Sequence, residues 1–247
     1  MLGGADRSKH GAATTTKKSP STARFARLSL VKPDIRAVLF DLDGTLADTL
    51  ADLANATNWA LQQVGCPPCP VDSYRYKVGD GAREMCERAL PADRRGELTD
   101  QVLQLMRQYY DEHCFDLTRL YPGIAGLVSA LTERRLKLAV LSNKPDEFTK
   151  RVIAHYFKPS PFAAVRGQLP NVPLKPDPTA ALQIAQELGI LPAHWLYLGD
   201  TNTDMHTARA AGMHPIGVLW GFRDRAELLD SGAEHIVAKP RDVLDLL

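Results

Sequence analysis

The feature that most constrains the fold is a short apolar run that ends in two carboxylates. Residues 37–40 are Ala, Val, Leu and Phe, and they are followed by Asp41, Asp43, Gly44 and Thr45. An apolar run of this length with β-branched and aromatic residues is typical of a buried strand. Burying bare carboxylates is costly unless a cation or hydrogen bonds compensate. The pattern therefore predicts either a cation site at a strand's carboxyl end, where open α/β sheets bind ligands, or a plain Asp-Gly turn.

Strands alternate with helices in the second half of the chain. Predicted strands lie at 137–141, 162–165, 195–198, 215–219 and 235–237, with helical patterns between them. Such alternation implies a doubly wound parallel sheet, so we expect an α/β fold with a Rossmann-like core. Residues 48–120 instead show helical periodicity and no convincing strand.

The helical segment follows the first strand directly. We therefore expect a catalytic core made of residues 35–47 and 121–247, with an all-helical cap domain inserted at 48–120. The insertion leaves the core at the carboxyl end of the first strand, beside the predicted site. A mobile lid would lie at that position.

The amino-terminal segment, residues 1–34, differs from the rest in composition. It is rich in Ser, Thr, Ala, Gly and Lys, and its first 33 residues hold seven basic residues and one acidic residue. This composition predicts a disordered basic tail, which is either a plain extension or a transit peptide. No apolar segment follows the basic residues, so the pattern is not that of a secretory signal.

Composition excludes several classes of protein. The formal net charge of +1 gives no general reason to expect a nucleic-acid partner. No apolar run approaches the roughly 20 residues that span a bilayer. The four cysteines are too few and too scattered for a disulfide scaffold, which favours a reducing compartment. We expect a cytoplasmic chain, monomeric or homodimeric, with neither nucleic-acid nor membrane partners.

Polar residues follow several predicted strands. The groups concerned are Asp41 and Asp43 after the first strand, Ser142, Asn143 and Lys144 after the second, Lys175 in a proline-rich loop, and Asp200 and Asp204 after a later strand. Because the carboxyl ends of parallel strands share one edge, we expect these side chains to meet. Carboxylates suit Mg²⁺, and a lysine neutralises a phosphoryl group. The set predicts phosphoryl transfer through an aspartyl phosphate.

Four segments together resemble the motifs of the haloacid dehalogenase superfamily of phosphatases, in order and in spacing. They are Asp41-Leu-Asp-Gly-Thr-Leu46, Ser142-Asn143, Lys175-Pro-Asp-Pro178 and Gly199-Asp200-Thr-Asn-Thr-Asp204. The resemblance covers residues 35–247. It implies that Asp41 is the nucleophile and that Asp43 is first the general acid and then the base that activates water.

The resemblance also implies how phosphate and metal are held. Thr45, Ser142 and Asn143 would bind the phosphate together with the backbone amides after Asp41, and Lys175 would neutralise the aspartyl phosphate. Mg²⁺ would be the cofactor, held by Asp41, the backbone carbonyl of Asp43, and Asp200. Asp204 would support the metal or the lysine.

The insertion is similar to the small helical cap of this superfamily. Val78-Gly-Asp-Gly-Ala-Arg83, Leu120-Tyr-Pro-Gly123 and Val218-Leu-Trp-Gly221 resemble segments of its phosphoglycolate phosphatases. The resemblance implies a small phosphorylated metabolite as substrate, 2-phosphoglycolate first, with Arg83 clamping its carboxylate. Asp80 would repel such an anion unless paired, and Arg83 is the candidate partner. Pyrophosphatase, sugar-phosphate phosphatase, phosphomutase and a non-catalytic phosphate- or partner-binding module remain alternatives.

Overall fold

The computed structural model describes residues 34–247, so the predicted basic tail, apart from Asp34, lies outside the described residues. A parallel six-stranded sheet, with the strand order β5-β4-β1-β6-β7-β8, forms the centre of the molecule. Its strands are β1 (Ala37–Phe40), β4 (Lys137–Pro145), β5 (Phe162–Gln168), β6 (Trp195–Gly199), β7 (His214–Val218) and β8 (His235–Val237). The strand order reverses at β1, which is where doubly wound sheets bind ligands. The predicted α/β fold is confirmed.

Helices cover both faces of this sheet because side chains alternate along each strand. Val38 and Phe40 face one apolar layer, whereas Ala37 and Leu39 face the other. The helices are α4 (Ile124–Glu133), α5 (Asp146–Tyr156), α6 (Thr179–Glu187), α7 (Asn202–Ala211) and α8 (Arg225–Asp230). α4 and α5 pack on the first layer, and α6 and α7 on the second. Because helices cover both faces of the sheet, the polar residues lie at the carboxyl ends of its strands.

A helical insertion separates β1 from β4. It contains α1 (Leu50–Gln63), α2 (Ala82–Ala89) and α3 (Thr99–His113), with short 3-10 turns between them. These helices bury an apolar cluster of their own, to which the core contributes Phe148 and Phe222. That this segment is a separate cap domain bounded at 48 and 120 stays a prediction.

The insertion is joined to the core by a short antiparallel pair. β2 (Ala47–Asp48) pairs with β3 (Arg119–Leu120), so the outgoing and returning chains lie side by side. The sequence predicted no strand here, because two residues are too few to show a period. Within the described residues, no helix is both long enough and apolar enough to cross a bilayer.

Candidate active site

Lys175 joins two buried carboxylates at the carboxyl edge of the sheet. Its Nζ lies 2.8 Å from Oδ1 of Asp41 and 2.7 Å from Oδ1 of Asp204. Asp41 continues β1, since its amide donates to the carbonyl of Leu198 at 2.9 Å. The side chains of all three charged residues are at most 8% exposed. Residues far apart in the sequence thus form one ion-pair network.

Asp204 is held in place from both sides. Its Oδ2 accepts hydrogen bonds from the amide and the hydroxyl of Thr201, and its own amide returns one to Thr201 Oγ1. This reciprocal cap starts α7. Since Oδ1 is taken by Lys175, both oxygens have protein partners. The geometry fits the predicted supporting role.

Asp200 lies beside them and is completely buried. Oδ1 accepts a hydrogen bond from Thr45 Oγ1 at 3.2 Å, and Oδ2 accepts one from the amide of Phe222 at 2.8 Å. Gly44 makes this approach possible: its φ is 92°, and a Cβ there would lie 2.2 Å from Oδ2 of Asp200. Thr45, predicted to bind phosphate, has its hydroxyl directed at Asp200 instead.

Burial shifts the pKa values of the charged groups in this cluster. It raises the pKa of Asp41 well above its usual value, opposed mainly by Lys175, and it raises the pKa of Asp200 to about 7. Burial lowers the pKa of Lys175, but Asp204 and Asp41 outweigh it, so the pKa is well above the usual value. The ammonium therefore stays charged at neutral pH.

The cluster fits a divalent metal ion. Oxygens of Asp41, Asp200 and Asp204 lie within 4.8 Å of one another, and all three residues are buried. When all three carboxyl groups are ionised, their charge exceeds that of the one ammonium by two, which a divalent cation would balance. A donor set made only of hard oxygens suits Mg²⁺. Asp41 and Asp200 would hold the ion, with the backbone carbonyl of Asp43.

Asp43 forms a second ion pair at the edge of the cluster. Its Oδ1 accepts hydrogen bonds from Thr49 Oγ1 at 2.7 Å and from Lys144 Nζ at 3.0 Å, and Oδ2 lies 3.4 Å from the same Nζ. Lys144 is buried, and its ammonium lies 4.7 Å from the centre of the Tyr110 ring. Oδ2 is thus the less engaged of the two oxygens.

Hydrogen-bond donors face the space beside Asp41. Ser142 Oγ accepts a bond from the amide of Lys144 at 3.2 Å, and its own hydroxyl proton goes to no described residue. The tight turn after β1 uses the amides of residues 44–47, whereas those of Leu42 and Asp43 meet no acceptor in the described chain. Such donors are suited to phosphate oxygens. Ser142 lies within β4, which runs four residues further than predicted.

Asn143 has a different task from the predicted one. Its amide group accepts from the backbone N–H of Lys175 and donates to the carbonyls of Lys175 and Gly79. Both side-chain protons are therefore used within the protein, where they position the loop that carries Lys175, and the expected phosphate contact stays a prediction. The bond to Gly79 also ties the insertion to the core.

Further hydrogen bonds hold residues 75–80 of the insertion on the core. Arg75 donates to the carbonyl of Gly221, and Arg223 donates to that of Val78. Asp80 accepts a bond from Thr203 Oγ1 at 2.9 Å and pairs with Arg88 at 2.6 Å. The expected neutralisation of Asp80 therefore comes from Arg88 and not from Arg83.

A small cavity lies between the strand ends and the insertion. Its volume is about 40 Å³, and it is lined by Asp41, Asp43, Ser142, Asn143 and Lys144 from the core, with Leu53, Val78, Met85, Met106, Arg107 and Tyr110 among the residues of the insertion. At roughly 10–15 Å³ per water on this measure, the cavity holds about three water molecules. The reacting groups thus face a confined space.

Arg83, the predicted carboxylate clamp, does not reach this cavity. Its side chain is 58% exposed and pairs with Asp100 at 3.2 Å. Arg107 and Tyr110 line the cavity instead, one turn apart on α3. Sequence analysis singled out neither residue as part of the site, because a helical period does not show which side of α3 faces the cavity.

The fold and the site define the class of protein. The family model "Haloacid dehalogenase-like hydrolase" matches residues 38–218, and the chain belongs to that family. The resemblance drawn from the four motifs is confirmed. Membership of this family, together with relatives at 33–34% identity that are phosphatases, shows that the chain is a phosphatase.

Two relatives and one crystal structure illustrate the similarity. The chain is 34% identical to a phosphoglycolate phosphatase of Pseudomonas putida, over 76% of this chain and 70% of that protein. It is 33% identical to the phosphoglycolate phosphatase of Chromobacterium violaceum, over 86% and 96%. A crystal structure from Lactobacillus delbrueckii subsp. bulgaricus, provisionally named a phosphoglycolate phosphatase, matches with a TM-score of 0.80 and 30% identity, over 85% and 97%.

Proposed function

We propose that this phosphatase hydrolyses a small phosphomonoester, with 2-phosphoglycolate as its substrate, through an aspartyl phosphate on Asp41 and with Mg²⁺ as cofactor. The observation that carries the proposal is the network in which Lys175 joins Asp41 to Asp204, with Asp41 at the wall of a small cavity. The curated relatives at 33–34% identity, which carry the name phosphoglycolate phosphatase, support the substrate.

In the first step, an Asp41 oxygen attacks phosphorus and the bond from phosphorus to the glycolate oxygen breaks. The proton that the departing oxygen needs comes from the carboxyl group of Asp43, through Oδ2, which is the less engaged oxygen. Lys175, the hydroxyl of Ser142 and the free amides of Leu42 and Asp43 stabilise the charge on the transferring phosphoryl group.

In the second step, the carboxylate of Asp43 takes a proton from water, and the resulting hydroxide attacks phosphorus. The bond between phosphorus and Asp41 breaks, so inorganic phosphate leaves and both carboxyl groups return to their starting states. When bound, Mg²⁺ supplies positive charge that keeps Asp41 ionised and offsets the negative phosphoryl group. Asp41 and Asp200 are the carboxylates placed to hold it.

The cavity is too small for a substrate as it stands. Its volume of about 40 Å³ has room for about three water molecules, fewer than a phosphomonoester needs. Hydrogen bonds between residues 75–80 and the core close the cavity on the insertion side. We infer that this segment opens to admit substrate, as lids do in other enzymes.

Phosphate release from a panel of compounds tests the proposal. The panel holds 2-phosphoglycolate, ethyl phosphate, pyrophosphate, a hexose phosphate and para-nitrophenyl phosphate, each with Mg²⁺ and with a chelator. We expect Mg²⁺-dependent release led by 2-phosphoglycolate, and no release by Asp41→Asn. A different leading compound would replace the substrate and keep the chemistry. If the purified protein released phosphate from none of them, the proposal would be refuted.

A further inference from the structure

The insertion contributes a buried hydroxyl that has no partner. Tyr110 is 1% exposed, lines the cavity, and its Oη has no hydrogen-bond partner in the described chain. Buried hydroxyls are nearly always satisfied, so the partner of this one is a group that enters the cavity, either a water molecule or a bound ligand. The neighbouring Lys144 ammonium hydrogen-bonds Asp43 and lies over the tyrosine ring, where its charge also acts on the hydroxyl.

The ring of Tyr110 is held firmly in this orientation. Phe148 of the core packs edge-on against it, with ring centres 5.2 Å apart, while the Lys144 ammonium covers one face. Burial raises the pKa of Tyr110 to about 12, so the hydroxyl stays protonated at neutral pH. The protonated hydroxyl therefore has a proton to donate to an acceptor that comes within reach.

An exposed arginine lies one helical turn before Tyr110. Arg107 precedes Tyr110 by three residues on α3, so the two side chains are neighbours on one helix face. Arg107 lines the same cavity and also borders a solvent-open groove, which places it at the mouth. No carboxylate of the described chain pairs with its guanidinium. Arg83, by contrast, is already neutralised by Asp100.

We propose that Arg107 and Tyr110 form the subsite for a carboxylate on the substrate's leaving group, and that this pair makes the enzyme selective for short carboxylated phosphomonoesters. The assignment rests on the proposed function and adds the residues that decide its substrate. A guanidinium binds a carboxylate through parallel N–H groups, and the tyrosine hydroxyl adds a third donor. Leu53, Met85 and Met106 make the nearby wall of the insertion apolar, and the Lys144 ammonium on the core side is already paired with Asp43.

If Arg107 and Tyr110 bind the carboxylate, replacing either should reduce turnover of the carboxylated substrate selectively. Tyr110→Phe removes one neutral donor to a charged group, and Arg107→Gln removes the cation. Each change should lower the ratio of kcat/KM for 2-phosphoglycolate over ethyl phosphate by roughly 10- to 100-fold, mostly through KM. Ethyl phosphate is the matched substrate because it differs from 2-phosphoglycolate only where the carboxylate would be. Arg94→Gln, an exposed arginine of the insertion paired with Glu97, is the matched control variant.

The melting temperature of Tyr110→Phe distinguishes a substrate-binding role of the hydroxyl from a purely structural one. Because the Tyr110 hydroxyl has no partner, Tyr110→Phe should keep or raise the melting temperature of the free enzyme. A purely structural tyrosine hydroxyl would instead lower it, and turnover of both substrates would fall together. The ratio of kcat/KM for 2-phosphoglycolate over ethyl phosphate, measured for Arg83→Gln, tests the prediction that Arg83 binds the substrate carboxylate.

Measuring how tightly an inactive variant binds the two compounds tests the carboxylate subsite independently of catalysis. Calorimetry with Asp41→Asn should show 2-phosphoglycolate binding at least 10-fold more tightly than ethyl phosphate, and adding Arg107→Gln should remove that difference. If wild type releases phosphate from 2-phosphoglycolate yet Arg107→Gln and Tyr110→Phe keep its preference, the subsite is refuted and the proposed function stands. If Asp41→Asn binds both compounds equally, the carboxylate subsite is refuted whatever the enzyme hydrolyses.

Discussion

Replacing Lys175 by methionine tests whether its ammonium holds the buried carboxylates together. Nζ lies 2.8 Å from Asp41 and 2.7 Å from Asp204, and the side chain is only 3% exposed. Methionine has a similar length, so the main change is the loss of charge. Removing one partner of a buried ion pair costs about 3–5 kcal/mol. At about 2–4 °C per kcal/mol for a domain of this size, we expect the melting temperature to fall by roughly 6–20 °C.

The loss should depend on pH in a defined direction. Without the lysine, three buried carboxylates face one another, and the repulsion is greatest when all are ionised. Because burial raises the pKa of Asp41 and brings that of Asp200 to about 7, lowering the pH to about 5 protonates them and should shrink the deficit. Asp204→Asn added to Lys175→Met should recover part of the lost stability at pH 8.

Urea unfolding without metal, at pH 8 and pH 5, measures these differences. Lys137→Met is the matched control, because Lys137 is an exposed lysine at the start of β4 and should change the free energy of unfolding by less than about 0.5 kcal/mol. A loss below about 1 kcal/mol for Lys175→Met at pH 8 would contradict the ion-pair network. So would a deficit that grows as the pH falls.

Three further changes probe the rest of the site. The pKa of Asp200 is raised in the folded chain, so it contributes a loss of stability in the metal-free wild type as the pH rises from about 4 to 7. Asp200→Asn should reduce that loss, leaving the part due to Asp41, and should be the more stable protein at pH 8. It should also abolish the Mg²⁺-induced rise in melting temperature. Equal Mg²⁺ responses in both would contradict the metal assignment. Gly44→Ala places a Cβ 2.2 Å from Asp200 and should cost about 1–3 kcal/mol and most of kcat, and a wild-type kcat would contradict this geometry. Asn143→Ala breaks three hydrogen bonds and should cost about 3 kcal/mol at ~1 kcal/mol each in urea unfolding; a loss confined to KM would argue for direct phosphate contact instead.

Sequence reasoning predicted the elements whose patterns are local and strong. The apolar run before Asp41 and the alternation after residue 121 sufficed for a parallel sheet with polar residues at one edge. Since parallel strands end together, Lys175 and Asp204 were expected near Asp41, and the structure brings them within hydrogen-bond distance. Their catalytic roles stay predictions until turnover is measured.

What the sequence did not reveal depends on side-chain direction. Arg83 and Arg107 both follow apolar residues in helical stretches, but only the packing of α2 and α3 on the core decides which one faces the cavity. Asn143 matched a motif, yet its hydrogen bonds go to the backbone of Lys175 and Gly79, contacts between segments distant in sequence. The β2–β3 pair is too short to show a period.

The most direct test of the central claim is to trap the phosphoryl group on Asp41. The enzyme is mixed with 2-phosphoglycolate and Mg²⁺, quenched within one turnover, and treated with borohydride, which reduces an acyl phosphate to an alcohol. Mass spectrometry of the peptide that contains residues 37–46 should then show homoserine at position 41, and none without substrate or in Asp41→Asn. Full turnover with an unmodified Asp41 at every quench time, or modification of another residue, would contradict the account.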